Sequence, residues 1–200
     1  DRNGRGSLKF FRKKFGLYNK KREILTPERH IGFIEAHIEQ GPELWNKGLN
    51  IGIVRSIAAA WKYRIKFTGE TNHAGTTKMN IRRDAGVAMM KFWNQIETRF
   101  PNIASETAVW TVGAVKLTPG QPSIIPGEAE MVFQFRDVEL KTLRRLDDEL
   151  VSIANFVSEE SKTEIDIEKS ADGVPAHFDK NFISIMETTA KDILPGKYKL

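Results

Sequence analysis

The sequence predicts an α+β fold of the ferredoxin-like plan, a four-stranded antiparallel sheet with two helices, and three observations carry that expectation. Two stretches space their apolar residues as helices do. Four alternate with the period of a strand. They follow one another as β-α-β-β-α-β, the order that places both helices on one face of the sheet.

In "IGIVRSIAAAWKYRIKFTGE" (residues 51–70), Tyr63, Ile65 and Phe67 alternate with Lys62, Arg64 and Lys66, as on a half-buried strand. "RRDAGVAMMKFWNQIETRF" (82–100) carries Ala85, Ala88, Met89, Phe92 and Ile96 at helical spacing and stops before Pro101. "ETAVWTVGAVKLTPG" and "GEAEMVFQFRDV" are two β-rich runs separated by the turn-forming "PGQPSIIPG". "ELKTLRRLDDELVSIANFVSEES" is a long amphipathic helix striped by Leu140, Leu143, Leu146, Leu150, Ile153 and Val157, and "TEIDIEKS" is a last strand. The module spans 49–171. Residues 1–48 and 172–200 are too short to fold alone, so the module is expected to be inserted in a second domain to which they belong.

The N-terminal flank has its own pattern. "LKFFRKKFGLYNKKR" (8–22) mixes apolar and basic positions at loosely helical spacing, with Gly16 a break; Thr26-Pro27 suits a helix start. "GFIEAHIEQGP" then alternates as a strand, with Phe33, Glu35, His37 and Glu39 on one face, and stops at Gly41-Pro42.

Composition narrows the function. With 200 residues, 40% hydrophobic and 28% charged, the chain is globular, and no apolar run approaches the roughly 18 residues of a membrane span. Neither a membrane nor a secretory leader is expected, and a cytoplasmic setting fits. There is no cysteine, so any metal must be held by His, Asp and Glu. Residues 1–30 carry ten Lys/Arg against three Asp/Glu, so the other 170 residues carry −2 of the net +5. A basic arm of this kind is ordinarily a solvated face, and no aromatic residues are spaced through it for base stacking.

Four histidines are candidates: His30, His37, His73 and His177. His30, in a helix start, and His177, in the turn "GVPAHFD", read as structural. From spacing alone His37 belongs to a polar strand face turned to water, since no second ligand stands at HExxH distance; a metal ligand is the alternative. His73 lies in "TGETNHAGTTKMNIRRDA", where a strand turns into a helix. Turn formation explains its Asn, Gly and Thr neighbours and the placement of Asp84 near the helix start. It does not explain the histidine.

Taken together, "EAHIEQGPEL", "GETNHAGTTKMNIRRDA", "VGAVKLTPGQPSIIPGEAEMVFQFRD" and "GVPAHFD" resemble the central half of the dinuclear-metal amidohydrolases. That family includes allantoate amidohydrolase, N-carbamoyl-L-amino-acid hydrolase and a β-ureidopropionase branch, related to metal-dependent aminopeptidases. The resemblance implies a lid and dimerisation domain flanked by parts of an α/β metallopeptidase-like catalytic domain. It implies a homodimer formed through the lid, two divalent metal ions (Zn, Mn, Co or Ni) and a small carbamoyl or ureido substrate.

It also implies roles. His37 would be a metal ligand, and His73 would stabilise the oxyanion from the lid, across subunits. Arg136 would clamp the substrate carboxylate, with Gln40, Asn72 and Ser123 on the substrate side. Ser123 replaces the family's usual Asn, which bears on substrate grip, and Lys78 replaces a usual Pro. The family's other ligands, an early His-x-Asp region, a Glu-Glu pair and a late Gly-His-Asp segment, have no counterpart in these 200 residues, so the chain by itself is expected to be inactive. Two other readings share the fold: a non-catalytic dimerisation module, and an RNA-binding RRM. The second lacks the RNP1 aromatics in "AVWTVGAVKL", and no nucleic-acid partner is expected.

Overall fold

The computed structural model describes residues 6–21, 23–24 and 26–200. The chain divides into two units, residues 1–42 and residues 43–200.

In the first unit the basic segment forms one helix, α1 (Leu8–Lys14), whose N-cap Ser7 accepts from the Phe10 N–H at 3.2 Å. The chain reverses at Gly16, with φ +66°, so the helical pattern read over 8–22 ends near its midpoint; Arg22 lies outside the described residues. The expected helix start at Thr26 is a single 3-10 turn, Pro27–Arg29. The strand expected over residues 33–39 is not formed: 32–39 has no regular secondary structure and its side chains are exposed. Alternation decides which faces a strand offers. Only a neighbouring strand makes it part of a sheet.

The second unit opens with α2 (Glu43–Asn46), then β1 (Ile51–Gly52), β2 (Ser56–Ile57) and β3 (Ala59–Thr68). The run read as one extended stretch over 51–70 is therefore three strands. Next come β4 (Asn72–His73), a 3-10 turn at Met79–Ile81, α3 (Ala85–Arg99) and β5 (Val109–Thr118). β6 (Ile124–Ile125), β7 (Glu128–Asp137), α4 (Leu140–Ser161) and β8 (Glu164–Asp172) follow. β9 (Ala176–His177), α5 (Lys180–Ile193) and β10 (Tyr198–Lys199) end the chain.

Four strands form one antiparallel sheet in the order β5-β7-β3-β8. Its inner face is the one read from the alternation: Trp61, Tyr63, Ile65 and Phe67 of β3 and Ala129, Met131, Phe133 and Phe135 of β7 are buried. α3 covers this face with Ala85, Ala88, Met89, Phe92 and Ile96, and α4 with Leu143, Leu146, Leu150, Ile153 and Val157. Leu140 packs only at the margin of the core. The Phe67 and Phe92 rings meet edge to face at 5.5 Å, which joins sheet to helix. Burying each such side chain contributes about 1.5–3 kcal/mol.

The outer face is a charge ladder. Lys66 stands between Glu130 of β7 and Asp166 of β8, and the Arg64 guanidinium lies 2.9 Å from Glu130. Both partners are exposed, so such pairs keep the face soluble and add under about 1 kcal/mol each.

Two short ribbons flank the sheet. β2 pairs with β9, antiparallel, and β1 pairs with β10, parallel. At the latter, Lys199 and Lys47 hold the Glu43 carboxyl down to about 2.

Candidate functional site

The candidate site lies at the sheet end where β3 finishes. There three segments, 68–77, 82–85 and 123–127, are tied by backbone bonds. Gly69 N–H donates to Gly127 O (2.8 Å), Glu70 N–H to Arg83 O (2.7 Å), Ala74 N–H to Ser123 O (2.9 Å) and Ala85 N–H to Pro126 O (3.1 Å). The approach is close enough to demand glycine at 69, since a Cβ there would stand 2.0 Å from the Arg83 carbonyl oxygen.

His73 is not in a turn, as the sequence suggested, but in the two-residue strand β4, facing Ile124 across the ribbon with β6. The segment "SIIPG", read as a plain turn, is the other half of this ribbon. It brings Ser123 beside the His73 segment. Both Ser123 and His73 are exposed, while Asn72 is half-buried and donates its amide to Glu70 Oε1 at 3.0 Å.

The backbone of His73 is bonded to the loop that follows it, and one edge of its ring is left open. Its carbonyl accepts from the Thr77 hydroxyl (2.8 Å) and the Thr77 N–H (3.2 Å). Its Nδ1 accepts from the Gly75 N–H at 3.1 Å. A nitrogen that accepts a hydrogen bond carries no proton, so the neutral ring holds its proton on Nε2. No described residue bonds Nε2. The group offered outward is an N–H donor.

His37 presents the other state. Its Nδ1 lies 2.5 Å from the Ile38 carbonyl oxygen, which can only accept, so the proton is on Nδ1 and the Nε2 lone pair is kept for a ligand. That suits a metal ligand, yet one imidazole does not make a metal centre. Among the described residues no three His, Cys, Asp or Glu side chains converge as one. Gln40 lies close by in sequence, with a left-handed φ of +56°, a conformation a non-glycine side chain adopts only at a cost.

Arg136 is not near His73. It faces Ala60 of β3 and Val109 of β5, and its guanidinium reaches Gln134 Oε1 at 3.5 Å. The His73 end of the same strand pair is marked by Thr68 opposite Glu128. The Nδ1 of His30 lies 3.1 Å from the Thr26 carbonyl oxygen, and His177 is in β9, opposite Ser56.

The residue the sequence reading passed over is Arg82. Its Nε donates to Thr77 O at 3.1 Å and its Nη2 to Ala74 O at 2.5 Å, so one guanidinium clamps both flanks of the loop after His73. The only signal was a pair of arginines ahead of the Asp84 N-cap.

This sheet, helix pair and braced histidine loop define a class of protein. The chain belongs to the peptidase dimerisation domain family, whose pattern it matches over residues 57–162. It is 32% identical to an N-carbamoyl-L-amino-acid amidohydrolase of a Pseudomonas species, over 82% of this chain and 41% of that protein. It is 31% identical to the allantoate amidohydrolase of Escherichia coli, over 81% of this chain and 39% of that protein. The solved structure of a hydantoinase/carbamoylase-family amidase from Burkholderia phymatum superposes with a TM-score of 0.87 at 32% identity, covering 94% of this chain and 46% of that one. The chain thus spans about two fifths of the length of the curated relatives it matches.

Proposed function

We propose that this chain is the lid and dimerisation part, with adjoining catalytic-domain segments, of a hydrolase that cleaves C–N bonds in linear amides bearing a carbamoyl or ureido group and a carboxylate. Residues 49–171 are the lid; 1–48 and 172–200 belong to the catalytic domain. The strand order β5-β7-β3-β8 with both helices on one face supports assigning the lid to the ferredoxin-like plan. The names of the relatives support the substrate class.

The observation that carries the reading is the open Nε2–H of His73, on a short strand whose following loop bonds back to it. When water adds to a carbamoyl carbon, negative charge gathers on the carbonyl oxygen, and a donor already in place stabilises that charge without reorganising. Arg136 pairs with the substrate carboxylate, for which a planar guanidinium offers two parallel bonds. Asn72, Ser123 and Gln40 contact the substrate. His37 would hold a divalent metal ion, one of the two that the resemblance implies, and such an ion would lower the pKa of a bound water for attack on the carbamoyl carbon.

Two copies complete the cleft. β5 is an edge strand, and beside it α3 and β5 line an apolar groove of about 670 Å3 with Met89, Met90, Trp93, Trp110, Val112 and Val115. A second copy of this chain is the occupant that the family match supports. Two-fold pairing of β5 edges is necessarily antiparallel. It sets the Thr118 end of one sheet, where His73 lies, beside the Val109 end of the other, where Arg136 lies.

The test is His73→Ala in the full-length enzyme. A fall in kcat of about 10²–10³ with unchanged metal content is expected for one lost oxyanion donor; an unchanged kcat removes the role.

A further inference from the structure

Resting on the assignment of His73 as a donor, we propose that Gly75 and Arg82 are its positioning residues: the Gly75 amide sets the tautomer, and Arg82 holds the loop that delivers that amide. An imidazole can be a donor at Nε2 or an acceptor there, and only the first is useful at a developing oxyanion. The free energies of the two tautomers in water are close, so a solvent-exposed ring needs a local bond to select one. The Gly75 N–H, 3.1 Å from Nδ1, makes that selection.

That amide points at the ring only while the loop keeps its shape. Gly75 and Thr76 lie between Ala74 and Thr77, the two residues whose carbonyls Arg82 bridges. Both bonds come from one planar group, so the spacing between those carbonyls is held by a rigid body; a lysine offers a single ammonium and reproduces only one of them. Glycine at 75 has its own reason. A Cβ there would stand 3.1 Å from His73 Cε1 and 3.5 Å from Nδ1, so any larger residue displaces the imidazole by a few tenths of an ångström. Arg82 makes these hydrogen bonds to the loop carbonyls and none to the imidazole, so it acts through the loop.

The experiment uses the full-length protein labelled with 15N-histidine, the His73 signals being assigned by their loss in His73→Ala. Long-range 1H–15N correlation is expected to show a proton-bearing Nε2 and a bare Nδ1. Arg82→Met and Arg82→Lys are expected to give averaged nitrogens, and kcat lower by roughly tenfold to a hundredfold with KM within about twofold, as for a misplaced catalytic group. Gly75→Ala keeps the amide and moves the ring. It should lower kcat comparably with the thermal midpoint retained, which covers the case in which the Arg82 variants do not fold. A proton on Nδ1, or averaged nitrogens in the unmodified protein, overturns the proposal even if His73→Ala is inactive. A fixed tautomer lost in Arg82→Met, with His73→Ala fully active, keeps the positioning and removes the donor role instead.

Discussion

His73 and Arg136 stand at opposite ends of one antiparallel strand pair. Thr68, just before the His73 ribbon, faces Glu128, and Arg136 faces Ala60 eight residues back along the same strand. At about 3.3 Å per residue that is roughly 25 Å of sheet. Two groups so placed cannot grip one small molecule from the same subunit.

Mixed dimers test this directly. Subunits carrying His73→Ala and subunits carrying Arg136→Ala are each expected to be nearly inactive. A heterodimer of the two has one cleft with both groups intact and one with neither, so co-expression should restore activity toward half of a normal dimer. No recovery in purified heterodimers would show that each cleft draws both groups from one chain.

Arg136→Lys should raise KM for carboxylate-bearing substrates about tenfold or more, since the paired geometry is lost while the charge remains. Steady-state kinetics on a substrate and its amide analogue give the check. The variant should no longer discriminate between them as strongly.

The groove between α3 and β5 has an equally plain consequence. Met90 and Val115 are well exposed in the single chain. A double Met90→Glu, Val115→Glu change puts like charges on a self-complementary surface and is expected to yield monomers in light scattering. The isolated fold should survive, because neither residue lies in the core. A dimer that persists would place the interface elsewhere.

Tyr63 offers a test of the core. Burial and the 2.8 Å bond to Asp147 push its hydroxyl far above the usual tyrosine range. A group raised on folding contributes stability that is complete below its unfolded value of about 10 and declines as the pH rises beyond it. Denaturant unfolding should therefore show an alkaline loss of stability that Tyr63→Phe reduces. The same variant should cost about 1–2 kcal/mol at neutral pH for the missing bond, with Lys169 still paired to Asp147.

The long elements were legible in the sequence because their signals are local. Tyr63, Ile65 and Phe67 show their inward face within one strand, and Phe92 and Ile96 do so within one helix; no knowledge of the partner is needed. Residues 33–39 show the limit, since the same alternation there belongs to backbone that forms no strand in this chain.

By itself, then, the sequence determined which residues turn inward, where the long strands and helices run, and which histidines called for an explanation. Only the tertiary structure decided that "SIIPG" closes a ribbon against Asn72-His73, that Arg82 clamps the loop, and that Arg136 sits at the far end of the sheet. The reason is physical. Periodicity records the environment of a residue and its near neighbours, whereas ribbon pairing, carbonyl clamps and strand register depend on backbone groups brought together from distant segments, and backbone groups are the same at every position.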